Sequence, residues 1–123
     1  MKTWISSWKG SVQPRKQRKY RYKAPKHVRG KLLSAHLSKE LRQKYKCRSI
    51  RVRKGDKVKI VRGEFRGKEG KIERVDLKKS RVYLPQIEVV KKDGSKAKFP
   101  IPASNLVILE LEANDKRRIQ KQD

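Results

Sequence analysis

The chain has 123 residues, with 37 Lys and Arg against 12 Asp and Glu and a formal net charge of +25. That imbalance excludes an ordinary solvated surface, because self-repulsion opposes compaction unless a polyanion neutralises it. Nucleic acid is the expected partner, since each Lys or Arg on a phosphate releases condensed counterions. An anionic membrane would serve the same electrostatics, but the sequence carries neither an amphipathic membrane helix nor a lipidation signal.

Cys47 is the single cysteine, so no intramolecular disulfide is expected and a reducing compartment fits. No stretch reaches the apolar length of a membrane span or of a signal peptide. No membrane insertion is expected, and a cytoplasmic location is. Residues 1–50 hold 16 basic residues and one acidic residue, a net +15, whereas residues 51–112 carry +8 and residues 113–123 carry +2. The most charged part therefore precedes the stretch that reads as a folded core.

Residues 1–24 read as an extended basic arm. Pro14-Arg15-Lys16-Gln17-Arg18-Lys19-Tyr20-Arg21-Tyr22-Lys23 shows no core-forming period, and like-charge blocks of this kind act as interaction tails. Tyr20 and Tyr22, interleaved with bases, are placed either to stack on nucleotides or to pack on the protein itself. Trp4 and Trp8 have the i, i+4 spacing of a pair on one helical turn.

Residues 25–50 read as a short helical segment. Pro25 suits a helix start at Lys26-His27-Val28-Arg29, with Gly30 ending or bending it. Ser38 is an expected N-cap, Glu40 stands in the first turn, and Leu37, Leu41 and Tyr45 share one helical face. Residues 51–112 read as a small, partly open β-barrel. Strands are expected near 57–62, 71–77, 81–84, 87–91, 97–101 and 106–111, with a hairpin turn at Asp93-Gly94. Pro85, Pro100 and Pro102 fall at strand ends. Residues 113–123 open on an Asn114-Asp115 cap signal and continue as a short basic C-terminal tail.

Between them lies the stretch of most interest. Gly55-Asp56 launches Lys57-Val58-Lys59-Ile60-Val61-Arg62, an alternating strand, and Gly63, Gly67 and Gly70 then punctuate a charged connection. Glycine there permits positive φ and the close approach of another backbone, including a sugar–phosphate one. The block Gly55–Gly63, with Phe65-Arg66-Gly67-Lys68, Gly70-Lys71-Ile72 and Val75-Asp76, closely resembles a KOW motif. Leu37-Ser38-Lys39-Glu40-Leu41-Arg42-Gln43-Lys44-Tyr45 ahead of it, and Arg15–Lys19 and Ala24-Pro25-Lys26-His27 further upstream, narrow the resemblance. They resemble the archaeal and eukaryotic form of the universal KOW-domain large-subunit ribosomal protein, numbered twenty-four in bacteria and twenty-six in eukaryotes. The similarity spans roughly residues 13–112, and Ala103 stands where related proteins more often have Pro.

The resemblance implies a mainly β fold, a small SH3-like barrel, bound to large-subunit ribosomal RNA near the polypeptide exit tunnel with an early role in assembly. Its partners would be that RNA and neighbouring large-subunit proteins, with no homo-oligomer. The location would be the ribosome, with nuclear and nucleolar transit in a eukaryote.

Candidate RNA-contacting residues form two groups. The arm contributes Arg15, Lys16, Arg18, Lys19, Tyr20, Arg21, Tyr22, Lys23, Lys26, His27, Arg29 and Lys31. The KOW region contributes Arg53, Lys54, Arg62, Gly63, Arg66, Gly67 and Lys68. No catalytic residue, metal or cofactor is expected. Cys47 has only His36 as a distant partner, and two histidines with one cysteine do not make a structural zinc set. Gly63–Lys68 lacks the Gly-Lys-Ser/Thr ending of a P-loop, and Glu64, Glu69, Glu73 and Asp76 read as interleaved surface charge. A KOW-containing transcription factor module and a nonspecific nucleic-acid-binding protein remain the alternatives.

Overall fold

Val58 and Ile60 point into the core and Lys57 and Lys59 turn outward along the strand Lys57–Ile60, the alternation that the sequence expects of a half-buried strand. The structure, a computed structural model, describes residues 4–112 and 116–118; the expected cap at Asn114-Asp115 lies outside the described residues. In chain order the strands are β1 (Ser34–Leu37), β2 (Ser49–Arg51), β3 (Lys57–Ile60), β4 (Glu69–Lys71), β5 (Arg74–Asp76), β6 (Arg81–Tyr83), β7 (Glu88–Val90), β8 (Lys96–Lys98) and β9 (Leu106–Glu110). Helices α1 (Pro14–Lys23), α2 (Lys26–Arg29) and α3 (Lys39–Tyr45) precede or interrupt the early strands. The chain is thus mainly β with a few short helices.

Five strands form one sheet in the order β2-β1-β9-β3-β4, and β5-β6 and β7-β8 form two separate ribbons. β9 lies parallel to β1 and antiparallel to β3, so the last strand closes the sheet between early and middle segments. Leu37, Val58, Ile60, Leu106 and Ile108 from this sheet, with Leu33 just ahead of it, meet Val82, Leu84, Ile87 and Ile101 from the ribbon side in one apolar cluster. Val82 and Ile101 exchange backbone hydrogen bonds of 2.8 and 3.0 Å, which ties the β5-β6 ribbon to the segment after β8.

The expected strand at 71–77 is divided. Ile72 donates to the Asp56 carbonyl at 3.0 Å and is buried, while Glu73 donates to Tyr83 at 3.0 Å. The chain changes hydrogen-bonding partner between these two residues and turns from one sheet to the other there. β1 also departs from expectation, since residues 34–37 read only as part of a helical segment. Ala35 and Leu37 are buried and His36 is exposed, a two-residue period too short to stand out in the sequence. Leu37 therefore ends a strand rather than sharing a helical stripe with Leu41 and Tyr45. Ser38 divides the two elements as the expected N-cap, its hydroxyl accepting from the Leu41 amide at 3.4 Å.

The arm corrects a larger expectation: it is helical, not extended. Pro14 occupies the first turn of α1, where its missing donor costs nothing, and Arg, Lys and Gln are good helix formers. Repulsion between exposed like charges one turn apart costs only a few tenths of a kcal/mol per pair. The preceding 3-10 turn (Ser6–Gly10) adds tertiary support: Gln17 donates to the carbonyls of Lys9 and Ser11, both at 2.7 Å. Trp4 and Trp8 do not pair with each other. Trp4 stacks on Tyr20 with ring centres 5.2 Å apart and donates to the Tyr20 carbonyl at 3.1 Å. Trp8 takes the Lys19 ammonium 4.7 Å above its ring.

Candidate nucleic-acid interface

The loop between β3 and β4 is built on backbone geometry. Gly63 and Gly67 have φ of +97° and +93°, values that L side chains rarely adopt. Gly67 donates to the Ile60 carbonyl at 2.8 Å and Ile60 to the Lys68 carbonyl at 2.9 Å, closing the loop at its base. Gly70, in contrast, sits in β4 opposite Val58 and takes no positive φ. Phe65 anchors the loop edge-on against Phe99 at 4.9 Å, and the Lys68 ammonium lies 5.1 Å from the Phe65 ring centre. Arg62, Gly63, Arg66, Gly67 and Lys68 are consequently all exposed on a fixed turn.

α1 is the second basic surface. None of its residues is buried, and Arg15, Lys16, Arg18, Lys19, Arg21 and Lys23 are exposed along it without an acidic neighbour in the helix. The two tyrosines separate: Tyr20 is half-buried under Trp4, whereas Tyr22 is 76% exposed. Lys26, His27 and Lys31 continue the exposed basic surface through α2 and the following 3-10 turn (Gly30–Leu33). Arg29 is half-buried and donates to the Tyr22 carbonyl, so its guanidinium braces the junction of α1 and α2.

Arg53 and Lys54 belong to neither surface. They line a groove of about 890 Å³ between β2 and β5, together with Arg51, Arg74, Arg117 and Arg118. Sequence reasoning passed over the last four, because nothing local in the chain signals that β2, β5 and the tail converge. Asp56 is the one carboxylate buried among the described residues, and it is the hub of this corner. Its oxygens accept from the amides of Arg53 at 3.0 Å and Glu112 at 2.9 Å and from the Arg118 guanidinium. Cys47 lies half-buried at the same groove, its thiol donating to the Ser49 carbonyl at 2.9 Å. Among the described residues no cluster of three or more His, Cys, Asp or Glu is arranged to hold a metal ion.

Residues 11–122 match the family of ribosomal proteins called L26 in eukaryotes, together with their archaeal counterparts of the L24 type. The chain belongs to this family. A protein of Methanospirillum hungatei named "Large ribosomal subunit protein uL24" is 52% identical over 111 residues, covering 90% of this chain and 92% of the relative. A protein of the same name from Methanosphaera stadtmanae is 54% identical over 110 residues, covering 89% and 94%. The family match takes in α1, the β3–β4 loop and the Asp56 corner. It begins after Trp4 and Trp8, so the aromatic pair that braces α1 stands ahead of the matched region.

Proposed function

We propose that this chain is a structural constituent of the large ribosomal subunit that binds large-subunit ribosomal RNA. In this reading it lies near the peptide exit tunnel, in the cytoplasmic ribosome, beside other large-subunit proteins, and assists assembly. β3, the loop that follows and β4 are the KOW unit of an SH3-like barrel. The loop from Arg62 to Lys68 docks against folded RNA by shape and phosphate contact, and the residues from Arg15 to Lys31 neutralise phosphates along a longer path. The reading needs no catalytic step.

The observation that carries it is α1, a helix with six cationic side chains, all exposed, and no acidic one. Six uncompensated cations exposed along one ten-residue helix repel one another, and a polyanion relieves that repulsion. Membership of a ribosomal protein family and the names of the archaeal relatives support the same assignment.

Co-sedimentation with large subunits on a sucrose gradient, followed by RNA crosslinking, tests it. Neutralising Arg15, Lys16, Arg18 and Lys19 is expected to shallow the salt dependence of RNA binding by roughly 0.7–0.9 per lost phosphate contact. An unchanged slope would remove α1 from the interface. Stable co-purification with an RNA polymerase instead of large subunits would overturn the assignment.

A further inference from the structure

The groove between β2 and β5 has a composition that neither the arm nor the β3–β4 loop shares. Its lining combines the apolar side chains of Ile50, Val52, Val75 and Leu77 with six cationic residues. Glu73 is the single carboxylate among the lining residues, and it is set against Lys98 at 3.4 Å. The volume, about 890 Å³, falls in the range of pockets that enclose a small organic ligand. An apolar lining that also carries positive charge complements a flat, weakly polar ring system attached to a phosphate.

Arg74 supplies the second observation. Its guanidinium carbon sits 4.2 Å from the centre of the Tyr83 ring, and Tyr83 is buried. A planar cation held over a fixed ring is a ready platform, and Arg74 is exposed and lines the groove. Unstacked RNA bases are recognised by stacking on aromatic rings or on arginine planes. Arg118 also lines the groove, held by Asp56 and by donation to the Arg51 carbonyl at 2.9 Å.

We infer that this groove is a nucleotide pocket: it takes one unpaired base of the bound RNA, stacked on Arg74 and against the apolar lining, with Lys54 toward its phosphate. The inference rests on the RNA-binding reading above and adds a site at which the protein recognises a single-stranded nucleotide, distinct from the phosphate contacts of α1.

The test uses the full chain and two variants, Arg74→Ala and Arg74→Lys, with a transcribed large-subunit RNA fragment as the probe. Stacking requires the planar guanidinium, so both variants are expected to bind roughly 5- to 150-fold more weakly, the range for losing one base stack. Restoration of affinity by Arg74→Lys would reduce Arg74 to a point charge and overturn the pocket. Titrating the free protein with adenosine and uridine monophosphates should shift the methyl signals of Ile50, Val75 and Leu77. Methyls that stay still, with Arg74→Ala binding RNA as the wild type does while the α1 variants weaken, would sink the inference and leave the RNA-binding reading standing. Failure of the unaltered protein to bind the fragment would sink both. The chain's own residues 119–123 are the rival occupant. Shifts of the same methyls on deleting those residues, with no nucleotide present, would assign the groove to them instead.

Discussion

Arg118 reaches across 62 residues of chain to the carboxylate of Asp56, one nitrogen donating to Oδ1 at 2.7 Å and the other to Oδ2. The carboxylate is fully buried and the guanidinium side chain is 5% exposed. The Gly-Asp turn that starts β3 is thereby bonded to the tail, and the amides of Arg53 and Glu112 share the same two oxygens.

Removing one partner of such a pair strands the other. Arg118→Met leaves a buried carboxylate with two amide donors and no countercharge, and the expected loss is about 3–5 kcal/mol. Asp56→Asn keeps an oxygen for an amide and removes the charge. Adding it to Arg118→Met is therefore expected to recover part of the lost stability, although it destabilises the wild type. Urea unfolding midpoints of the single and double variants decide this; a double variant no more stable than Arg118→Met contradicts the account.

Two glycines are expected to behave differently. Gly67 has φ of +93° and open space where a Cβ would stand, so Gly67→Ala costs backbone strain alone, about 1–2 kcal/mol. Gly30 has an ordinary φ of −60°, but a Cβ there would lie 2.2 Å from the Arg51 guanidinium carbon. The guanidinium is the far end of an exposed, flexible side chain that can swing aside, so Gly30→Ala is expected to be near neutral in the wild type. In an Arg51→Ala background the obstacle is gone, and the same substitution should stabilise by about 0.4–1 kcal/mol. A double-mutant cycle from thermal unfolding reads the difference.

What was legible in the sequence follows from range. β3 stands out because four residues alternate strictly, and Ser38 because the N-cap rule is local. The family resemblance was carried by the same local blocks, Gly55–Lys68 and Leu37–Tyr45. β1 was missed because four residues carry little periodicity and its partners, β2 and β9, are set by long-range register. The arm reads as extended in the sequence because its charge pattern hides what Trp4, Trp8 and the carbonyls of Lys9 and Ser11 add from outside the helix. Of the candidate site, the β3–β4 loop needed only its glycines to be seen. The β2–β5 groove depends on residues from 34 to 118 meeting in space, and no local pattern announces that.

The aromatic brace on α1 gives a third prediction. A ten-residue helix is marginal in water without tertiary support. Replacing Trp4 with Ala removes both the Tyr20 stack and the hydrogen bond to its carbonyl, and Trp8→Ala removes the Lys19 contact. The double variant is expected to lose helical carbon chemical shifts over residues 14–23 while the β3 and β9 signals stay in place. Full helicity in the double variant would show that the helix stands on its own propensity.

Lys98 sets the pH behaviour of the β7–β8 ribbon. Its ammonium donates to Glu88 at 3.0 Å and to the Pro85 carbonyl at 3.1 Å, and lies 3.4 Å from Glu73. The hydrogen bond from Lys98, and then its charge, hold the Glu88 carboxyl below its usual 4.5. The hydrogen bond to Glu88 raises Lys98 above its usual 10.5. A depressed carboxyl contributes stability that is complete above 4.5 and is lost as pH falls through the lowered value. A raised ammonium contributes stability that is complete below 10.5 and is lost as pH climbs through the raised value. The ribbon is therefore tightest across the broad neutral window and loosens at both extremes, more so in low salt, where the pair is least screened. Carbon-detected NMR titration should place the Glu88 carboxyl midpoint below 4.5, and Glu88→Gln should move Lys98 back toward 10.5. A Glu88 midpoint at the usual value would show that the ion pair does not persist in solution.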